Sequence, residues 1–458
     1  MAMSESEVEI MSKEMIKPSF PTLAAAADHS LKKTLKLSFF DKLNSSFSIH
    51  LVFFYKNHPN ITSQQLKQSL SETLTIFYPF AGRINEENDS IIDCNDSGVL
   101  FLEAQVHNSN LSDAIQSSKT DDIHKYLPIN YIETTDDDDV PPLMAVQMSF
   151  FQCGGIAIGV CLSHTVADMH TFSTFMNSWA SICSSRGIKT SEITIVQPNF
   201  EVGYNLFPPL IDDYIRKQQV AKDEYDQSFA EEKIRVMKRF VFDKETLEEM
   251  KQIVSSKSSS LNDPTKVEMV SAFIWKHIID ITIAKNPSTK IRSFGAFHVV
   301  DLRRRLSLPS LSNAMGNFGI LTLAKWGEEL EYFLADQKDR DYCNLVTPLR
   351  TAIRRKDYND YIENEEKQME FFHFRTQSDP EMESCFFTSW CKLPFYQVDY
   401  GWGKPFAICH PVLPVKNIVT LMDTKSGDGI EATITMAEDE MAMLPTQFLD
   451  LENNDFSK

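Results

Sequence analysis

Apolar residues recur along this chain with two periods. Leu66, Leu70, Leu74 and Phe77 fall on one face of a helix that starts near residue 63 and is stopped by Pro79. Ahead of it, residues 35–40 and 47–55 read as strands, the second so continuously apolar that both its faces are expected to be buried. Gly82 and the stretch 91–99 fit a turn and strands, with Asp96-Ser97-Gly98 as a hairpin tip. Residues 143–151 and 156–162 are two further strands. After a short break, Val166, Met169, Phe172, Phe175, Met176, Trp179 and Ile182 form a helical stripe. The later chain repeats the mixture: a strand at 238–242, a helix at 244–254, and a strong helix whose stripe is Val267, Val270, Ile274, Ile278 and Ile281. A strand at 292–302 follows, then a charged helical region from about 336 to 370. Near the end, Ser426-Gly427-Asp428-Gly429 marks a hairpin before the alternating strand IEATITM.

Strands mixed with helices in both halves predict an α/β protein organised as two halves. The length, 458 residues, agrees, since a domain averages about 150 residues and one core rarely grows so large. The expected boundaries are 1–200 and 238–458, joined by a crossover linker at 201–237 that holds Pro208, Pro209 and a polar run of weak periodicity. A hydrophobic share of 42% with 24% charged residues is that of a soluble globular protein. The net charge of -19 argues against nucleic acid as a partner, because phosphate binding needs a basic surface. The start of the chain shows no basic segment followed by an apolar core, and the longest apolar run, 150–162, is too short to span a bilayer, so a cytoplasmic protein is expected. Eight scattered cysteines with no CxxC pair read as free thiols, and no metal site is indicated. The run ETTDDDD at 133–139 reads as a solvated loop without EF-hand spacing. HExxH, GxSxG and Walker patterns are absent.

The chemistry concentrates at His164, where a buried strand gives way to a helix. A strand end fixes the backbone while the turn presents the side chain, and a neutral imidazole there can take a proton from a hydroxyl. A lone histidine is more often a satisfied core residue. The strand-to-helix break and an acid four positions on raise His164 above that reading, while His170 reads as incidental. Asp168 invites a His-Asp couple, but on the first helical turn it is better placed for the macrodipole or for an arginine elsewhere. Arg303, Arg304 and Arg305 stand out against the acidic background, as a solvated cluster or as a local basic strip.

The sequence His164-Thr165-Val166-Ala167-Asp168 resembles the HxxxD motif of the BAHD family of plant acyl-CoA-dependent acyltransferases. Asp399-Tyr400-Gly401-Trp402-Gly403 resembles its DFGWG motif, with Tyr for Phe. HxxxD alone also occurs in carnitine acyltransferases and condensation domains; the pair together is specific. YPFAGRI, CNDSGV, VDLRRR and NAMGNFG match in order, so the resemblance spans essentially the whole chain. Stretches such as SFFQCGGIAIGVCLSH and LMDTKSGDGIEA are similar to the alkaloid-acylating branch.

The resemblance implies two similar chloramphenicol-acetyltransferase-like domains with mixed sheets and a solvent channel between them, entered by acyl-CoA from one side and by the acceptor from the other. It implies an O-acyltransferase that acetylates a hydroxyl of a monoterpenoid indole alkaloid, with acetyl-CoA as co-substrate, no permanently bound cofactor and a monomeric chain. Malonyl or another acyl transfer to an alkaloid or phenolic alcohol, or a silent acyl-CoA-binding protein, are the alternatives. His164 would be the general base. Asp399 is the second catalytic candidate, as a proton acceptor or in a structural role, the latter being favoured. Asp168 would salt-bridge Arg303 and hold the histidine loop. Trp390, with Thr388 as the weaker choice, would donate to the oxyanion; Asn317 would line the channel, and Arg304 with Arg305 would meet the CoA phosphates.

Overall fold

A computed structural model describes residues 7–20, 34–44, 47–56, 62–116, 121–129, 140–185, 195–209, 235–257, 261, 263–285, 293–327, 341–355, 357–363 and 381–444. The acidic run at 133–139, the linker from 210 to 234, the Asn286-Pro287 turn and the 364–370 end of the charged region lie outside the described residues. The chain divides into two compact units. One is Met1–Leu210 with Ser307–Phe318 and Leu393–Pro411; the other is Ile211–Leu306 with Gly319–Lys392 and Val412–Lys458.

The first unit is built on a six-stranded mixed sheet. Its order is β1 (Glu7–Ile16), β6 (Val99–His107), β7 (Met144–Phe151), β8 (Ile156–Ser163), β3 (Ser48–Tyr55) and β13 (Ala407–Cys409). The continuous apolar run of β3 is buried from Leu51 to Tyr55, as its sequence requires. In β8, Gly159 lies beneath the backbone of Tyr126: a Cβ there would meet the Tyr126 carbonyl oxygen at 1.8 Å, so only glycine lets the strand sit this close. On the sheet lie α2 (Ser63–Ile76) and α3 (Met169–Ser184), whose stripes bury Leu66, Leu70 and Leu74 against Phe172, Phe175, Met176 and Trp179. The Trp179 indole N–H donates to Leu66 O at 3.2 Å and to Ser69 Oγ at 3.0 Å, which satisfies a buried donor and fixes how the two helices meet.

Two local expectations change. The strand expected at 35–40 is β2 (Thr34–Lys36) only, because Ser38 turns the chain into α1 (Phe39–Leu43). Ser38 is an N-cap with a complete capping box to Asp41, and that arrangement ends the extended backbone. The hairpin expected at 96–98 does not form. β5 (Ile91–Asp93) joins a small sheet between β2 and β4 (Arg83–Ile84), while β6 belongs to the large sheet, so the turn at Gly98 switches sheets.

The second unit has the order β11 (Gly319–Trp326), β10 (Ser293–Asp301), β12 (Met382–Ser389), β14 (Ile418–Asp423), β15 (Ile430–Ala437) and β9 (Arg235–Phe242). β14 and β15 form the hairpin expected around Gly427 and Gly429. Helices α4 (Lys244–Lys257), α5 (Lys266–Lys285) and α6 (Tyr342–Ile353) cover one face, burying Val270, Ile274, Trp275, Ile278 and Ile281. Glu268 is buried and anchors two arginines, Arg350 Nη2 at 3.1 Å and Arg354 Nε at 2.8 Å.

The two sheets share a four-strand core. In the first, β6 and β7 are parallel, β7 and β8 antiparallel, and β8 and β3 antiparallel. In the second, β12 and β14 are parallel, β14 and β15 antiparallel, and β15 and β9 antiparallel. The halves therefore repeat one topology, too divergent in residues to show as a sequence repeat.

His298 on β10 is buried, stacks on Phe387 with ring centroids 4.6 Å apart, and has no hydrogen bond to Nε2 among the described residues. Burial pushes its pKa down to about 3. Since the unfolded chain takes up this proton near pH 6.5, the folded state holds its full stability above that pH and loses it progressively as pH falls toward 3. Urea unfolding of the wild type from pH 6.5 to 4.5 is expected to lose about 1.4 kcal/mol per pH unit more than His298→Phe does; parallel profiles would refute the assignment.

Candidate active site

His164 follows the last residue of β8. The strand is held to its end, with Ser163 N–H donating to Leu143 O at 2.7 Å and His164 N–H donating to Phe47 O at 2.9 Å. The chain then turns, and Asp168 is the N-cap of α3. This corrects the first-turn placement expected from spacing: the side chain caps the helix instead of riding on it. Asp168 Oδ1 accepts from Thr171 N–H at 2.9 Å, and Oδ2 accepts from Phe318 N–H at 3.1 Å. Both oxygens are thus used to fasten backbone, which explains an acid at this position without any part in proton transfer.

The segment fastened in this way, Gly316-Asn317-Phe318, comes from far along the chain and belongs to the first unit. Thr171 Oγ1 and Gly316 are joined in both directions, through Gly316 O at 3.0 Å and Gly316 N–H at 3.1 Å. Gly316 has φ +107°, a left-handed conformation that favours glycine, and a Cβ there would sit 3.3 Å from Asp41 Oδ1. Asn317 is fully buried and brought against the histidine.

Its amide orientation follows from its partners. Nδ2 donates to His164 O at 2.7 Å and to Asp41 Oδ1 at 2.8 Å, both pure acceptors. The other end, Oδ1, lies 2.9 Å from His164 Nδ1. An amide oxygen can only accept, so Nδ1 carries the proton and the neutral imidazole keeps its lone pair on Nε2. That is the tautomer a general base needs if Nε2 is to receive a substrate proton. The resemblance assigned Asn317 to the channel wall; in the structure its amide is hydrogen-bonded to His164 through both of its ends. Asp41 was missed altogether, although the pattern Ser38-x-x-Asp41 is a capping-box signal that could have drawn attention to it.

Asp399 lies in the first unit although sequence order puts it in the C-terminal half. β13 explains this, since Ala407–Cys409 adds antiparallel to the edge of β3. Asp399 Oδ1 accepts from Gly401 N–H at 2.8 Å and from Gly403 N–H at 2.9 Å, both glycines having left-handed φ. Its visible work is to hold this loop. The loop's aromatic residues pack inward: Tyr400 lies 5.0 Å from Trp179 and 5.2 Å from Trp402, centroid to centroid. Tyr55 O–H donates to Val398 O at 3.0 Å.

The other named residues lie in the second unit. Arg303 is buried in the turn after β10, its Nη1 3.2 Å from Asp301 Oδ1. Arg304 is exposed, and Arg305 lies over the ring of Tyr358 at 5.9 Å. Trp390 Nε1–H donates to Thr388 Oγ1 at 3.2 Å. Among the described residues no group of three His, Cys, Asp or Glu side chains could hold a metal ion, and no helix is long and apolar enough to cross a membrane.

Comparison with known proteins agrees over the full length. A family model described as Transferase family matches residues 6–451. Stemmadenine O-acetyltransferase of Catharanthus roseus is 41% identical over 461 residues, covering 98% of this chain and 99% of its own. Vinorine synthase of Rauvolfia serpentina is 42% identical over 464 residues, covering 99% of both chains. A crystal structure of vinorine synthase superposes with a TM-score of 0.77 at 38% identity, covering 99% of this chain and 100% of that one.

The Tyr400 hydroxyl is buried without a hydrogen bond among the described residues. An unsatisfied buried hydroxyl costs about 1–3 kcal/mol. Tyr400→Phe is therefore expected to raise the unfolding free energy by about that amount in urea titrations; a destabilised variant would mean that the hydroxyl has a partner.

Proposed function

Because this chain belongs to the Transferase family, the BAHD acyl-CoA-dependent acyltransferases, we propose that it moves an acetyl group from acetyl-CoA to a hydroxyl of a monoterpenoid indole alkaloid, with His164 as general base. The enzyme takes acyl-CoA and a small-molecule acceptor. The alkaloid and the acetyl group are supported by the names and full-length similarity of the Catharanthus and Rauvolfia relatives. The observation that carries the catalytic part is the Asn317 amide, which leaves the His164 lone pair on Nε2.

In this reading Nε2 removes the acceptor's hydroxyl proton as its oxygen attacks the thioester carbon. The C–O bond forms and the carbonyl oxygen becomes an oxyanion. Collapse breaks the C–S bond, and the proton on Nε2 passes to the departing thiolate, so no acyl-enzyme forms and the cysteines are not nucleophiles. For the oxyanion, Trp390 as donor, with Thr388 as the weaker choice, is carried by the resemblance alone.

Asp399 is a brace for its loop, supported by its bonds to Gly401 and Gly403. The pairing of Asp168 with Arg303, and Arg304 with Arg305 as contacts for CoA phosphates, are carried by the resemblance. A cytosolic monomer completes the proposal.

Thiol release from acetyl-CoA with a panel of hydroxylated indole alkaloids tests the reading, with mass spectrometry of the products and malonyl-CoA as the competing donor. Acetylated alkaloid is expected. CoA binding with no release for any donor and acceptor would favour a silent binding protein. His164→Ala is expected to lower kcat by about 10²–10⁴, the range for a general base, with its unfolding midpoint unchanged. Full activity in that variant would sink the assignment.

A further inference from the structure

Asn317 does not hold His164 unaided. Its backbone N–H donates to Asp41 Oδ1 at 2.9 Å, and its side-chain Nδ2 donates to the same oxygen at 2.8 Å. Asp41 Oδ2 accepts from Ser38 N–H at 2.8 Å and from Ser38 O–H at 2.6 Å. All four partners donate, which is the setting of an ionised carboxylate. The group is buried in the first turn of α1, and Gly316 leaves it the room a side chain would take.

Resting on the reading of His164 as base, we propose that Asp41 is a positioning residue of the acyl-transfer site, holding the Asn317 amide in one orientation and so His164 in the Nδ1–H tautomer. The chain of partners runs carboxylate, amide N–H, amide oxygen, imidazole N–H. When Nε2 takes the acceptor's proton the imidazole becomes a cation. The negative carboxylate polarises the amide so that Oδ1 is more negative toward that cation. No proton moves along the chain: Nδ1 keeps its own, and the proton gained at Nε2 leaves with the CoA sulfur. The part an aspartate plays directly in a Ser-His-Asp triad is divided here between a buried acid and an amide, while Asp168, the acid nearest in sequence, is used on backbone. Burial raises the Asp41 carboxyl above the ordinary range and outweighs the opposing pull of its hydrogen bonds, so it is the four donors around it that argue for the ionised form.

The test compares pH profiles of kcat/KM for the wild type, Asp41→Asn, Asn317→Ala, the double variant and Ser38→Ala. Asp41→Asn is expected to lower kcat about tenfold, a fraction of what a general base supplies, with KM little changed. Its acid limb is expected to fall by roughly half a unit to one unit, because the imidazolium loses a nearby negative charge. In the Asn317→Ala background the same change is expected to do nothing further to kcat or to the limb. Ser38→Ala, which removes one donor to Oδ2 but keeps the carboxylate, should lower stability and move the limb less than Asp41→Asn does. A folded Asp41→Asn with an unmoved limb, or an equal effect in both backgrounds, overturns the proposal.

Should Asp41→Asn fail to fold, 13C spectra of aspartate-labelled wild type decide, with the Asp41 signal assigned through its shift in Ser38→Ala. An ionised carboxylate throughout the active pH range supports the relay, and a neutral one overturns it. An inactive His164→Ala beside an unaffected Asp41→Asn removes the relay alone, whereas an active His164→Ala removes the base and the relay together.

Discussion

The site in the first unit depends on one amide having two different ends. Asn317 is surrounded by groups that can each play only one part: a backbone carbonyl and a carboxylate that accept, and an imidazole nitrogen that must then donate. A carboxylate in place of the amide would accept at both ends and repel Asp41, and an apolar residue would leave Asp41 with a buried charge short of a donor, a costly state. Everything near it serves to bring this amide to the histidine. Thr171 and Asp168 fasten Gly316 and Phe318 on either side, and the left-handed Gly316 lets the backbone pass over Asp41. The helix that begins at Asp168 is therefore stapled at its first turn to the segment that is hydrogen-bonded to His164. That segment, 307–318, belongs to the first unit although it follows strands of the second.

Much of this was legible wherever periodicity extends over several turns or along a whole strand. The stripe from Phe172 to Ile182, the double burial of β3, the α5 stripe and the β14–β15 hairpin all follow from residues that are neighbours in sequence. The placing of His164 at a strand end was legible for the same reason, since a strand, a break and a helix adjoin one another. What was not legible is pairing at long range. Asn317 and His164 are 153 positions apart, and Asp41 and Asn317 are 276 apart, with nothing in the local pattern of either to announce the other.

The misreadings at the N-terminal end have a common physical origin. Leu35 to Phe40 looks like a strand because both its faces carry apolar residues, yet Ser38 and Asp41 satisfy each other's backbone groups in a capping box, which competes with extended structure. The hairpin expected at Gly98 had the right turn chemistry and the wrong partner: Asp96 and Gly98 do adopt positive φ, but the strands on either side leave for different sheets. Turn residues specify a change of direction, and which strand lies alongside afterwards is decided by burial over the whole sheet.

Charge poses a problem that the same logic of local against global resolves. A chain of net charge -19 has to bind acyl-CoA, itself a polyanion. At physiological ionic strength the screening length is about 8 Å, so most of that excess is invisible to a ligand at any one point on the surface. What the ligand meets is set by the few groups within that distance, and the buried and half-buried acids matter less than their number suggests. Asp41 and Asp168 are fastened by N–H and O–H donors, and Glu268 is neutralised by Arg350 and Arg354. An exposed cation therefore outweighs a distant acid in the approach of a phosphate. A net negative charge acts against a long polyanion in proportion to the area of surface that its many phosphates sample at once. A compact anion samples only one patch, so this charge balance is compatible with binding acyl-CoA.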